Sequence, residues 1–242
     1  MTAIIHNNIA PNCSNITGTN EDPDYPIGNI LSNSPADKFH TTAMSTNIVL
    51  TFSQNVQFES IVLAAHNIPL GSNVKIYLSN DNFQNYDAYN FIVNPDVMYV
   101  QVPGNHLSIK IGIISSRNIE IGYLCLGSFC EISQDPRYPV QRIPVESSHI
   151  LLSDIGQKNK VLGVMVWKIG LNFPSIPLTE YQLLCNIINR NKVLVLIVST
   201  ETKEAYQGIM ELPKGDEELE GVYFSLEFEQ NPYSYEVEEV ES

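Results

Sequence analysis

Four runs in the first half of the chain alternate apolar and polar residues with a period of two, or nearly so. They are Val74–Leu78, Val97–Val102, Leu107–Ile111 and Ile119–Leu124. Such alternation puts one face of an extended segment in a core and the other in water, which marks a half-buried strand. Two further runs of strand length precede them, Ile48–Phe52 and a second from Val56 through Phe58, Ile61 and Leu63. Turn-forming clusters separate the runs: Pro69–Gly71, Ser79–Asn82, Asn94–Asp96, Pro103–Asn105 and Ser115–Asn118. Short strands at this spacing predict a β-sandwich or barrel. The polar stretch from Asn12 to Ser34 is interrupted regularly by apolar residues. It reads as an ordered loop over one end of the sandwich, anchored by Tyr25, Pro26 and Ile30.

The pattern changes after residue 134. The segment Asp135–Pro144 carries three prolines, which forbid a helix and fit poorly in a central strand. It reads as a stiff connector, so the expected organisation is a sandwich domain over 1–134, a linker over 135–146 and a second β-rich domain over 147–242. That second part holds the one helical signal. Leu178, Tyr181, Leu184, Cys185 and Ile188 recur at helical spacing, and Thr179 with Gln182 forms a capping-box pattern, predicting a helix over about 179–190. Strands are expected at Lys160–Phe173, Lys192–Val198, Tyr206–Leu212 and Val222–Phe228. Trp167, between Val166 and Lys168, is expected in the core.

Charge narrows the function classes. The 242 residues hold 13 Lys and Arg against 27 Asp and Glu, a net charge of −14. Nucleic acid and anionic lipid both demand a basic face, so neither is expected as a partner. Ten of the acids fall between Gly215 and Ser242, where there is no Lys or Arg, so the rest of the chain is nearly balanced. No apolar run reaches the ~18 residues of a membrane helix. The first residues lack the basic and apolar regions of a signal peptide, so none is expected.

Chemistry-bearing motifs are sparse. Cys13, Cys125, Cys130 and Cys185 form no CxxC pair and read as small buried hydrophobes. The five histidines show no metal-ligand spacing, and no nucleophile elbow, P-loop or dinucleotide fingerprint occurs. Ser79–Asn82 could offer oxygens to calcium, but the spacing of a calcium loop is missing and a plain turn is the simpler reading. No catalytic residue, cofactor or metal is expected, and a hydrolase is the least favoured class.

Two stretches resemble known proteins. The first carries Tyr25, Asn29–Leu31, Phe39, His66–Asn67 and Ser79–Asp81 in order, and resembles the galactose-binding-like jelly rolls of tailed-phage proteins. The second carries Trp167, Leu178–Glu180, Val193–Val198 and Tyr206–Gly208, and resembles the C-terminal part of phage minor tail and distal tail proteins. The resemblance implies a non-enzymatic virion component at the tail tip or baseplate, made in the host cytoplasm. It would assemble as a ring with copies of itself and other tail proteins. The alternative is a carbohydrate-binding module that recognises a host-surface glycan through loops 20–40 and 80–90, with Tyr25, Phe39, His66, Asn67, Asp81 and Tyr86 as candidate loop residues. For His66 and Asn67, the plain reading is a strand-end pair that satisfies turn backbone. Tyr233 and Tyr235, set among the C-terminal acids, are candidate assembly contacts, because tyrosine buries area while keeping a polar tip.

Overall fold

The structure, a computed structural model, describes residues 1–32, 37–91, 93–94, 97–146, 149–152, 158–161, 165–202, 204–211, 214–218 and 221–230. Among the described residues the fold is mainly β with one α-helix. The first half contains β1 (Ala3–His6), β2 (Asn15–Gly18), β3 (Phe39–His40), β4 (Ser45–His66), β5 (Asn73–Ser79), β6 (Asp87–Asn90), β7 (Val97–Ile114) and β8 (Glu120–Glu131). The second half contains β9 (Arg137–Glu146), β10 (His149–Leu152), β11 (Lys158–Val161), β12 (Met165–Ile176), α1 (Leu178–Arg190), β13 (Leu194–Ser199), β14 (Glu204–Met210), β15 (Lys214–Glu218) and β16 (Gly221–Gln230).

Two long strands organise the first half. The 22 residues of β4 and the 18 of β7 each serve two sheets. Near its start β4 pairs with β2 and with the end of β7, which in turn pairs with β5, and β5 with β6. Near its end β4 pairs with the start of β7 and with β8. Register shifts at Thr51/Val56 and Phe58/Ser60 turn the corner between the sheets, as bulges do where a strand changes sheet. The core between them contains Ile48, Leu50, Phe58, Ile61, Ile76, Ile109, Ile111 and Leu124. Pro103–Asn105, expected as a turn, lies inside β7. A Cβ on Gly104 would sit 2.3 Å from the Phe58 carbonyl oxygen, so glycine is needed there for close passage of two backbones, not for reversal of the chain. The described part of the polar stretch, residues 12–32, packs on the sandwich as expected. Residues Ile27–Leu31 form a 3₁₀ turn whose Ile27 and Ile30 enter the core, while Tyr25 stays 44% exposed.

The segment expected as a linker is instead strand β9 over Arg137–Glu146. It pairs with β12 and ends the sheet order, an edge position where proline is tolerated because its missing N–H faces no partner. Helix α1 begins one residue earlier than its spacing predicts, with Pro177 at the N-cap and no side-chain cap bond, so Thr179 does not cap it. Its C-terminus is closed by Asn191, whose side-chain amide donates to the Ile187 carbonyl at 2.6 Å and accepts from the Asn7 N–H at 2.8 Å. Leu184, Ile187 and Ile188 enter one core with Ile169, Leu171 and Phe173 of β12 and with Leu226 and Phe228 of β16. Trp167 of the same strand is 42% exposed and not in the core, because it lies opposite Pro144 on edge strand β9.

The halves are joined by the first strand. β1 is hydrogen-bonded to β8 on one side and to β13 on the other. A shared cluster of Ala3, Ile5, Val62, Tyr99, Tyr123, Val195 and Ile197 fills the junction.

Candidate functional site

The residues expected at a glycan loop do not converge. Phe39 is fully buried in the sandwich core, because β3 pairs with β8 and turns the ring inward against Gly18. His66 is buried at the end of β4, where its Nδ1 accepts the Ile68 N–H at 3.2 Å. Burial pushes its pKa down to about 4, against a weaker upward pull from the Asn94 backbone. Asn67 donates to the Asn118 carbonyl at 3.1 Å and accepts the Glu120 N–H at 2.9 Å. Both residues therefore close a strand end, as the plain reading holds.

Asp81 organises its own loop. Its carboxylate accepts from the Asn85 N–H at 2.9 Å, the Asn85 side-chain amide at 2.6 Å and the Ser79 hydroxyl at 2.8 Å. These bonds, the Asn85 N–H foremost, hold its pKa below the usual value. Among the described residues no group of three or more metal-ligating side chains forms. Tyr25 stacks on His40 with ring centroids 3.8 Å apart. Tyr86 alone of the six stands beside a built surface, and it is 54% exposed. Tyr233 and Tyr235 lie outside the described residues.

That surface is the outer face of the β4–β7–β5 sheet. Antiparallel register aligns Asn47, Gly112 and Lys75 in one row across the three strands, and Val49, Lys110 and Tyr77 in the next. Directly paired residues share a face, and the alternating burial of β4 and β5 points this face to solvent. The centre of the first row has no side chain, so the surface dips there. The resulting hollow measures about 360 Å³ and is lined by Asn47, Asn73, Lys75, Tyr77, Lys110 and Gly112, with the strand ends at Ser45 and Ile114. A Cβ on Gly112 would come within 3.3 Å of the Asn47 Oδ1 and 3.7 Å of the Tyr77 ring.

Aromatic and cationic groups form one wall. Lys110 Nζ sits 4.5 Å from the Tyr77 ring centroid and 5.2 Å from that of Phe83, within cation–π range. Tyr86 meets the Tyr77 ring edge-on at 5.2 Å and 82°. Phe83 is held there by the turn that Asp81 and Ser79 fix, with a left-handed φ of 63°. A second hollow of about 330 Å³ is lined by Glu59, Gln101, Val102 and Phe129. Among its described lining residues the one charged group, Glu59, already accepts the Phe129 N–H at 2.8 Å. Burial raises the thiol pKa of Cys13 and Cys130 and pushes that of Cys125 up to about 12, the opposite of an activated thiol.

Sequence reasoning reached Tyr86 and missed Asn47, Lys75, Tyr77, Lys110 and Gly112. The alternation already sends Lys75, Tyr77 and Lys110 outward. That β4, β7 and β5 are neighbours is tertiary information.

No protein-family model matches the chain, and no curated protein does. Solved carbohydrate-binding modules show partial likeness. The Clostridium perfringens module CpGH89CBM32-4 is 17% identical, covering 51% of this chain and 100% of its own, with a TM-score of 0.43. The family 32 module of C. perfringens NanJ, solved with galactose, is 15% identical over 53% of this chain and 99% of its own, at 0.42. A pectin-binding module is 15% identical over 48% of this chain and 91% of its own, at 0.40. The fold assignment rests on the strand pairing above, and the function has to be argued from the site.

Proposed function

We propose that this chain is a non-catalytic recognition protein that binds saccharide through the outer face of β4, β7 and β5. One observation carries the reading: amide, ammonium and phenol side chains from three adjacent strands converge on a hollow of about 360 Å³. Ligand sites of ~300–1,000 Å³ with a few converging polar groups are the usual form of small-molecule pockets. Saccharide hydroxyls both donate and accept. Asn47 and Asn73 can answer either way, and Tyr77 through its hydroxyl. Tyr86 adds an exposed ring at the rim.

A glycan array probed with the purified protein tests this, alongside Asn47→Ala and Tyr86→Ala. Binding that weakens in both variants supports the reading. Binding that neither variant changes, or none at all, contradicts it.

A second reading, a structural component of a tailed-phage virion, draws on the other half. Ile143, Lys168, Glu229 and Ile209 form one row across β9, β12, β16 and β14, and both isoleucines are 55% exposed. Apolar residues on an exposed row next to an edge strand are what an assembly contact would cover. Light scattering that finds a closed oligomer, lost in Ile143→Asp, supports that role, and a monomer at all concentrations contradicts it.

A further inference from the structure

We propose that the saccharide taken by this groove carries an anionic group, a carboxylate or a sulfate, and that Lys75 and Lys110 receive it. The inference rests on the saccharide reading and adds the charge of the ligand. The chain carries a net charge of −14 and only 13 basic residues, yet two of them line this one hollow. Among the described residues no carboxylate lines it. Among the described residues neither lysine ends in an ion pair, whereas Lys38, Arg142 and Lys168 each do.

The acid within the adjoining loop 80–86, Asp81, is occupied by Ser79 and Asn85. The two ammonium groups are thus placed on the same face, on adjacent strands and two residues apart in register, with bare backbone at Gly112 beside them. Lys110 is braced against the rings of Tyr77 and Phe83, which limits its freedom before a ligand arrives. Lys75 stands exposed on the opposite side of the dip from Asn47. An anion at this point is drawn by two unneutralised cations. A neutral sugar meets the same cations and gains only ordinary hydrogen bonds.

Calorimetric titration of the full chain tests the proposal with three probes: trigalacturonate, a sulfated galactan oligosaccharide and the matching neutral galactotriose. The expected result is that one anionic probe binds at least ~10-fold more tightly than the neutral one, the equivalent of ~1.4 kcal/mol. That preference should shrink in 0.5 M salt, where exposed charges are screened. It should also largely disappear in Lys75→Gln, a solvent-facing change that leaves the Tyr77–Lys110 stack in place. Whichever anionic probe binds identifies the group as carboxylate or sulfate. Galactotriose binding as tightly as both anions, with Lys75→Gln unchanged, overturns the anionic inference and leaves saccharide recognition standing. If none of the three probes binds and no glycan on the array does, both fall together.

Discussion

The two halves bury their strands in different ways. In the sandwich, β4 alternates where it faces solvent and becomes fully buried from Ser60 to His66, where it pairs with both β7 and β8. In the second half, β12 sends Ile169, Leu171, Phe173 and Ile176 into the core that α1 joins, while Trp167, beside proline-bearing β9, stays open. One core is closed by strands that belong to both of its walls, the other by a single helix. A helix-capped sheet should therefore be the more fragile at one point, and a corner-crossing sandwich the more fragile wherever two backbones touch.

The largest effect is expected at the helix cap. Leu184→Ala should destabilise the protein by about 2–5 kcal/mol, the range for a fully buried leucine, measured by urea unfolding. A loss below about 0.5 kcal/mol would mean that α1 does not close that core. Next comes the sandwich corner. Gly104→Ala forces a methyl against the Phe58 carbonyl and should cost about 3 kcal/mol, the upper end for overpacking. Gly112→Ala meets only the tip of Asn47 and should cost less than about 1 kcal/mol while impairing saccharide binding.

A pH dependence should separate the halves as well. His66 in the sandwich has its pKa lowered from 6.5 to about 4. The unfolded chain therefore binds the proton more readily than the folded one, so stability from this group is full above pH 6.5 and falls as pH drops toward 4. Wild type should lose about 2 kcal/mol more than His66→Gln between pH 7 and pH 4.5. Equal losses would show that His66 titrates freely. The smallest effect is expected at Trp167→Ala, below about 1 kcal/mol, because the ring is 42% exposed.

Much of this architecture is legible in local pattern. Period two reveals the strands around Val74–Leu78 and Leu107–Ile111, and helical spacing reveals α1 to within one residue. What local pattern hides is whether a Pro–Gly–Asn triplet reverses the chain or lets it pass another backbone, as Gly104 does opposite Phe58. It also hides edge position, which turned an apparent proline linker into β9 and left Trp167 in solvent. Three of the candidate loop residues are taken up by the fold for a related reason. Phe39, His66 and Asn67 carry a polar or aromatic identity that suits a binding loop, but each is used by the fold itself. The groove residues are ordinary outward positions on three strands. Only their adjacency, set by the β4–β7–β5 register, makes them a site.

Amide chemical-shift mapping during titration with the tightest-binding oligosaccharide tests the central claim most directly. The account predicts that the perturbed residues cluster at Asn47, Lys75, Tyr77, Lys110 and Gly112, with Tyr86 at the rim. Shifts gathered instead around Tyr25 and His40, or on the row from Ile143 to Ile209, would contradict it.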